Sequence, residues 1–333
     1  STALYGARGA NGVIMVTTKH AQVGNAHISV DMRWGTNSRI KRYYETIDDP
    51  VKYYEVYYNA LYNYQLKGLG LTPAQATIEA NKQLVAPGAA GGLGYPIFTV
   101  PNGEQLIGED GRMNPHATLG RVIEHNGKRY TILPDDWKSL AFRNGLRKEY
   151  DVNLTGGSEK MQYYLSLGYL NNEGVAYHSD FERITVRAKA DYEARKWLKV
   201  GTNMNFSRAK YHVIPSDDNG LFYQLNNVAP IYPAFIRDEQ GNIMTDENGQ
   251  MYDYGNGAVI GLRRPTLPNI NPLQENALNT NSSKVNMYSL YGYANIMPLE
   301  GLKITLNGTV TVNNSRGTET KQPFYGYSHT AYP

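Results

Sequence analysis

Apolar and polar residues alternate over several runs of about ten residues in this chain. In the first run, 26–35, Ile28, Val30, Met32 and Trp34 occupy every second position, with polar residues between them. Because successive side chains of a strand point to opposite faces, this period predicts a strand with one apolar and one polar face. The same pattern recurs at 147–156, 160–171, 181–192, 197–208, 284–297 and 302–313. The alternation therefore predicts seven antiparallel strands.

The connections between these strands alternate in length. Short turns lie at 156–159, 193–196 and 298–301, whereas long insertions occupy 36–146 and 209–283 and a medium loop follows Asn172. Every second connection of an up-and-down sheet lies on the same edge, and outer-membrane barrels have short periplasmic turns and long extracellular loops. The pattern therefore predicts an all-β fold that forms part of a large antiparallel transmembrane β-barrel, with both insertions extracellular.

Two short helices are predicted inside the first insertion. Asp48-Asp49-Pro50 supplies a cap and a proline at the first helical position, with the helix running to Leu66. Thr72-Pro73 begins a second helix that runs to Leu84. The longest apolar runs fall far short of the roughly 18 residues that a membrane-spanning helix needs.

Composition agrees with a sheet that has one wet face and one apolar face. The 333 residues include 28 Tyr and 33 Gly against 7 Phe and 3 Trp, and the mean hydropathy is −0.52. A net charge of +3 is too balanced for a phosphate-binding surface, so nucleic acid is not expected as a partner. The absence of cysteine excludes disulfides, cysteine zinc sites and thiol nucleophiles.

No metal, cofactor or catalytic constellation is expected. The seven histidines show no ligand spacing, and the acidic stretches 238–242 and 246–249 lack the spacing of a calcium loop, so both are interpreted as turns. Asp135 and Asp136, beside Trp137, are interpreted as a solvated turn or a helix cap. The chain is therefore not expected to be an enzyme.

Tyrosines in the insertions are candidate ligand-binding residues because aromatic faces stack on sugar rings and contact peptide backbones. These are Tyr43, Tyr44, Tyr95, Tyr223, Tyr232, Tyr252 and Tyr254. The alternative is that they pack the insertions together or contact a partner. On the strands, Tyr163, Tyr169, Tyr192 and Trp197 are predicted to belong to interfacial aromatic girdles.

A glycine-rich block precedes the first strand. Gly6, Gly9 and Gly12 are spaced G-x-x-G-x-x-G before an apolar run, which predicts a tight turn and a buried strand rather than a dinucleotide site. The block, with Tyr5, Arg8 and Asn11 among its residues, closely resembles the end of the plug domain in SusC/RagA-type TonB-dependent outer-membrane transporters. Three later stretches, 150–160, 163–174 and 181–183 together with 197–201, resemble the early barrel strands of that family in the same order.

The resemblance implies two regions. Residues 1–25 would be the C-terminal end of a plug domain, with Arg8 facing polar groups of the wall, and 26–333 the N-terminal part of a barrel. Barrels with a plugged lumen have about 22 strands, so we expect the chain to be a fragment that lacks the signal, most of the plug and most barrel strands.

The resemblance also implies a function. The parent would import oligosaccharides or oligopeptides across the outer membrane of a Gram-negative cell. A SusD-like surface lipoprotein would cover the barrel, the TonB complex would pull on the plug, and two such pairs could form a dimer. Two alternatives stay open: a passive porin or adhesin-type barrel, and a soluble Tyr-rich glycan-binding protein whose apolar rows pack on another sheet.

Overall fold

Seven long antiparallel strands form the main sheet of the computed structural model, which describes residues 24–39, 46–214, 220–247 and 249–321. They are β1 (Gly24–Asn37), β2 (Gly145–Gly157), β3 (Met161–Glu173), β4 (Asp180–Arg195), β5 (Leu198–His212), β6 (Thr280–Leu299) and β7 (Leu302–Thr320). Each strand pairs with its neighbour in the sequence of long strands. The seven predicted runs are confirmed as strands, and with them the mostly β fold.

Several strands extend beyond the alternating pattern that predicted them. In β6, residues 280–283 are polar, yet all four pair with β7, and Ser282 and Ser283 also pair with β5. Backbone hydrogen bonds do not require apolar side chains. Alternation therefore predicts only the part of each strand that carries large apolar side chains.

One face of the sheet carries a continuous apolar row. The strand register places Val30, Val152, Leu167, Val186, Phe206, Tyr288 and Val312 side by side across all seven strands. Many of the large side chains on this face are exposed, including Val30 at 54% and Val312 at 44%. Within the described part of the chain, no second sheet covers this face.

The opposite face is mainly polar. The adjacent row of the register, which points to this face, consists of Asp31, Asp151, Gly168, Thr185, Ser207, Met287 and Asn313. The two faces differ because the period of side-chain direction in a strand is two residues. The sheet therefore has one polar side and one exposed apolar side.

The short turns and the long connections lie at opposite edges of the sheet. The turns 158–160, 196–197 and 300–301 are short, whereas the first insertion (38–144), the loop 174–179 and the second insertion (213–279) lie at the opposite edge. The predicted alternation of short and long connections is confirmed.

Five α-helices lie in the described parts of the insertions. They are α1 (Pro50–Asn63), α2 (Pro73–Leu84), α3 (Trp137–Ala141), α4 (Leu221–Asn227) and α5 (Pro272–Leu278). Asp49 caps α1 by accepting from the Val51 amide, and Thr72 forms a capping box with Gln75 on α2. Both predicted helices are confirmed, with a π-helical turn at Tyr64–Gly68 extending α1. None of the helices in the described ranges has the length and apolar character to span a membrane.

The hydrophobic core lies in the insertions rather than on the sheet. Tyr54, Tyr58 and Leu84 from the helices of the first insertion are fully buried in one cluster with Ile231 and Tyr232 of the second. The two insertions therefore fold together into one packed body above the long-loop edge.

Candidate functional site

Two of the candidate tyrosines are buried where the insertions meet. The Tyr95 hydroxyl donates to the Asp253 carboxylate at 2.8 Å, and the Tyr232 hydroxyl donates to the Leu93 carbonyl at 3.0 Å. Their rings lie edge to face, 5.1 Å apart. In this structure neither ring offers a face to a ligand, and both follow the alternative reading in which tyrosines pack the insertions together.

The other described candidates are less enclosed. Tyr223 on α4 is 48% exposed. Tyr252 is partly buried, with its ring centre 5.1 Å from that of Phe235. Tyr254 is also partly buried. The remaining candidates, Tyr43 and Tyr44, lie outside the described residues, as do Tyr5, Gly6, Arg8, Gly9, Asn11 and Gly12 of the plug motif.

A buried polar centre stabilises the second insertion. Arg264 is 1% exposed and donates through Nη2 to the carbonyls of Ile270 at 2.5 Å and Asp253 at 3.3 Å. Burial raises the pKa of the Asp253 carboxyl, and the positive charge of Arg264 opposes that rise. Burial also raises the pKa of Tyr95, so this hydroxyl stays a hydrogen-bond donor at neutral pH.

Gly255 makes room for this arginine. Its φ of +61° lies in the left-handed region, and a Cβ there would lie 1.8 Å from the Arg264 Nε. The guanidinium also faces the rings of Trp137 and Tyr232 at 5.7 and 6.0 Å. Because these contacts enclose the cation, the centre is suited to fixing the shape of the insertions rather than to binding a ligand.

A buried ion pair joins the two insertions. The Asp135 carboxylate accepts from Arg237 at 2.6 Å, with about a tenth of each side chain exposed. It also accepts from the backbone amides of Ala234 at 2.7 Å and Phe235 at 3.3 Å. Asp135 is therefore a structural link and not a solvated turn, whereas Asp136 is the N-cap of α3, as predicted.

A cleft of about 1280 Å³ lies between the insertions, beside the ends of β1 and β2. Aromatic and charged side chains line it, among them Arg39, Tyr53, Trp137, Phe142 and Arg143. The Arg39 guanidinium lies 4.3 Å from the centre of the Phe142 ring. Such a mixture of flat rings and charges of both signs can contact a peptide or a sugar.

Sequence reasoning did not single out these cleft residues. They come from Arg39 and from the stretches 46–53, 134–144 and 225–230, and no short-range spacing connects them. The Asp135-Asp136-Trp137 stretch of the cleft is interpreted from the sequence as a turn or cap. In the structure, the buried Trp137 ring donates through Nε1 to the Tyr232 carbonyl at 2.8 Å.

No metal site is formed by the described residues. They contain no group of three or more His, Asp or Glu side chains suitable for an ion. The first acidic stretch is a turn in which the Asp238 carboxylate accepts from the Asn242 amide at 2.8 Å. This agrees with its interpretation as a turn.

Comparison with known proteins gives a consistent set of relatives, although no family model matches. The chain is 26% identical over 320 residues to TonB-dependent receptor P26 of Formosa agariphila, covering 95% of this chain and 24% of that protein. It is 24% identical over 212 residues to TonB-dependent receptor SusC of Bacteroides thetaiotaomicron, covering 63% of this chain and 15% of that protein. Among solved structures, the RagAB peptide importer in its closed-closed state matches with a TM-score of 0.59 at 21% identity, covering 97% of this chain and 32% of that chain.

These matches confirm the resemblance to SusC/RagA-type TonB-dependent outer-membrane transporters. The structural likeness shows the fold, and the curated relatives are named as receptors rather than enzymes, which is compatible with a non-catalytic chain. The chain spans only about a quarter of the length of the P26 receptor.

Proposed function

We propose that this chain, similar to SusC/RagA-type transporters, forms part of the wall and outer loops of a TonB-dependent importer in the outer membrane. The observation that carries the proposal is the apolar row across all seven strands, which is exposed in a chain whose core lies elsewhere. Exposed apolar area of this extent is stable only against lipid or another protein. The opposite, polar face would line the lumen, as in barrels that hold a plug.

The long-loop edge would face the outside of the cell. Outer-membrane barrels carry their long loops on that side, which supports this orientation. The imported substrate would be an oligopeptide or an oligosaccharide, contacted by the cleft between the insertions and by exposed rings such as Tyr223. RagAB is named a peptide importer, and SusC a TonB-dependent receptor.

The proposed function also implies partner proteins. A SusD-like lipoprotein would cover the insertions, and the TonB complex would act through the plug, whose end is proposed for residues 1–25. Pairs of the two proteins could associate further into a dimer. The parent barrel would close with about 22 strands.

Uptake measurements with the full-length protein test this function. Cells carrying it should accumulate labelled oligopeptides or oligosaccharides too large for porins, and removal of TonB should abolish that uptake. Uptake that persists without TonB would favour a passive porin. Recovery of the protein from cells without detergent would favour a soluble binding protein.

A further inference from the structure

Basic side chains lie side by side on three strands of the apolar face, between the apolar row and the long-loop edge. Lys210, Lys284 and Arg316 are direct partners in the register of β5, β6 and β7. Each lies four residues from a member of the apolar row, respectively Phe206, Tyr288 and Val312, so all three share that face. All three are exposed.

This arrangement is electrostatically unfavourable on its own. Like charges directly opposite each other on neighbouring strands repel, and Arg208 adds a fourth cation one step closer to the apolar band. In the part of the chain that the structure describes, none of these four cations forms an ion pair within 4 Å. A cluster of cations without ion-pair partners is suited to an anionic ligand.

The neighbouring acids neutralise the row only in part. Glu182 is the register partner of Lys210 on β4 and interacts with the Tyr169 hydroxyl, so its one negative charge lies beside four positive charges. Asp180, two residues further along β4, pairs with His212 at 2.9 Å. Two amides, Asn286 and Asn314, lie between the basic row and the apolar row on β6 and β7 and supply additional donors.

We propose that Lys210, Lys284 and Arg316, with Arg208, bind the phosphate of a phosphorylated lipid in the outer leaflet. The proposal rests on the proposed function, because it needs the apolar face in the membrane and the long-loop edge outside. Neighbouring strands lie about 4.8 Å apart, so the three cations span about 10 Å, the size of a lipid headgroup. Charge complementarity selects the phosphate.

The surface below the row selects a lipid over a free phosphate ion. The rings of Phe206 and Tyr288 lie 4.9 Å apart directly under the cations. Beyond them, Leu290 is 51% and Val310 is 64% exposed. A phosphate that carries acyl chains gains from both parts of this surface, whereas inorganic phosphate contacts only the charged part.

The test compares lipid retention by the full-length protein in phosphatidylcholine nanodiscs. The nanodiscs contain lipid A, the same lipid A after removal of its phosphates, or no added lipid, and inorganic phosphate is tested as a competitor. The variant is Lys210→Gln/Lys284→Gln/Arg316→Gln. The matched control, Arg183→Gln/Arg187→Gln/Lys303→Gln, removes the same charge from the polar face of the sheet.

We expect the unmodified protein and the control to retain phosphorylated lipid A in preference to the dephosphorylated form. The variant should lose this preference, with a dissociation constant raised on the order of 100-fold. Equal retention by variant and unmodified protein, or displacement of the lipid by inorganic phosphate at comparable concentration, would overturn the proposal. Failure of the proposed function is recognised separately: a soluble protein would not enter nanodiscs at all, and a passive porin would enter them but take up substrate without TonB.

Discussion

At the scale of single residues, two glycines of the sheet each accommodate a tyrosine from the next strand. Gly201 pairs with Tyr293 across β5 and β6, and Gly156 pairs with Tyr163 across β2 and β3. A Cβ at Gly201 would lie 2.2 Å from Tyr293 Cε1, and one at Gly156 would lie 2.7 Å from the Tyr163 hydroxyl. The missing side chain therefore lets each ring lie flat on the neighbouring strand.

We expect Gly201→Ala to destabilise the sheet by about 1 to 3 kcal/mol, the usual cost of overpacking. The added methyl would displace the Tyr293 ring, whose hydroxyl donates to Asp191 at 2.7 Å. The free energy of unfolding of the full-length protein in detergent measures the effect. Gly292→Ala on β6 is the control, since no atom lies within 4 Å of its added Cβ, and equal losses for both variants would contradict the packing argument.

At the scale of elements, two arginine–carboxylate pairs connect the insertions in unlike surroundings. Arg237 and Asp135 are almost buried, whereas Arg129 and Glu239 expose 56% and 40% of their side chains. Breaking a buried pair leaves an uncompensated charge and costs about 3 to 5 kcal/mol. An exposed pair contributes about 0 to 1 kcal/mol.

Arg237→Gln should therefore loosen the packed insertions while Arg129→Gln leaves them intact. Limited proteolysis of the full-length protein in detergent measures this, because an undocked insertion is cut faster than a packed one. The strands should stay protected in both variants, since their backbone ladders do not involve these side chains. Similar protease resistance of the two variants would show that Asp135 is held by its backbone donors alone.

The sheet was predictable from sequence and the packing of the insertions was not. Alternation is a local signal, and it located β1 and β5 because each strand displays both faces within ten residues. By contrast, Asp135 and Arg237 are separated by 102 residues and Tyr95 and Asp253 by 158. No local pattern connects such positions, so a tyrosine in a long loop is equally consistent with a ligand surface and with a core.

At the scale of the whole molecule, the apolar face decides between a membrane wall and a soluble protein. Leu290 lies in the apolar band between Met204 and Val310, and Ser289 beside it points to the polar face. An arginine on the lipid face of a barrel costs about 2 to 4 kcal/mol near the bilayer midplane. The same residue on the polar face remains in contact with water and costs little.

We therefore expect Leu290→Arg to reduce the amount of folded full-length protein in the outer membrane several-fold, with Ser289→Arg close to the unmodified level. Heat-modifiable migration on gels of detergent-extracted membranes measures the folded fraction. The comparison is informative because both variants add the same charge at adjacent positions of one strand, so only the face differs. Equal recovery of both variants in a detergent-free extract would mean that the exposed apolar row is covered by protein and not by lipid.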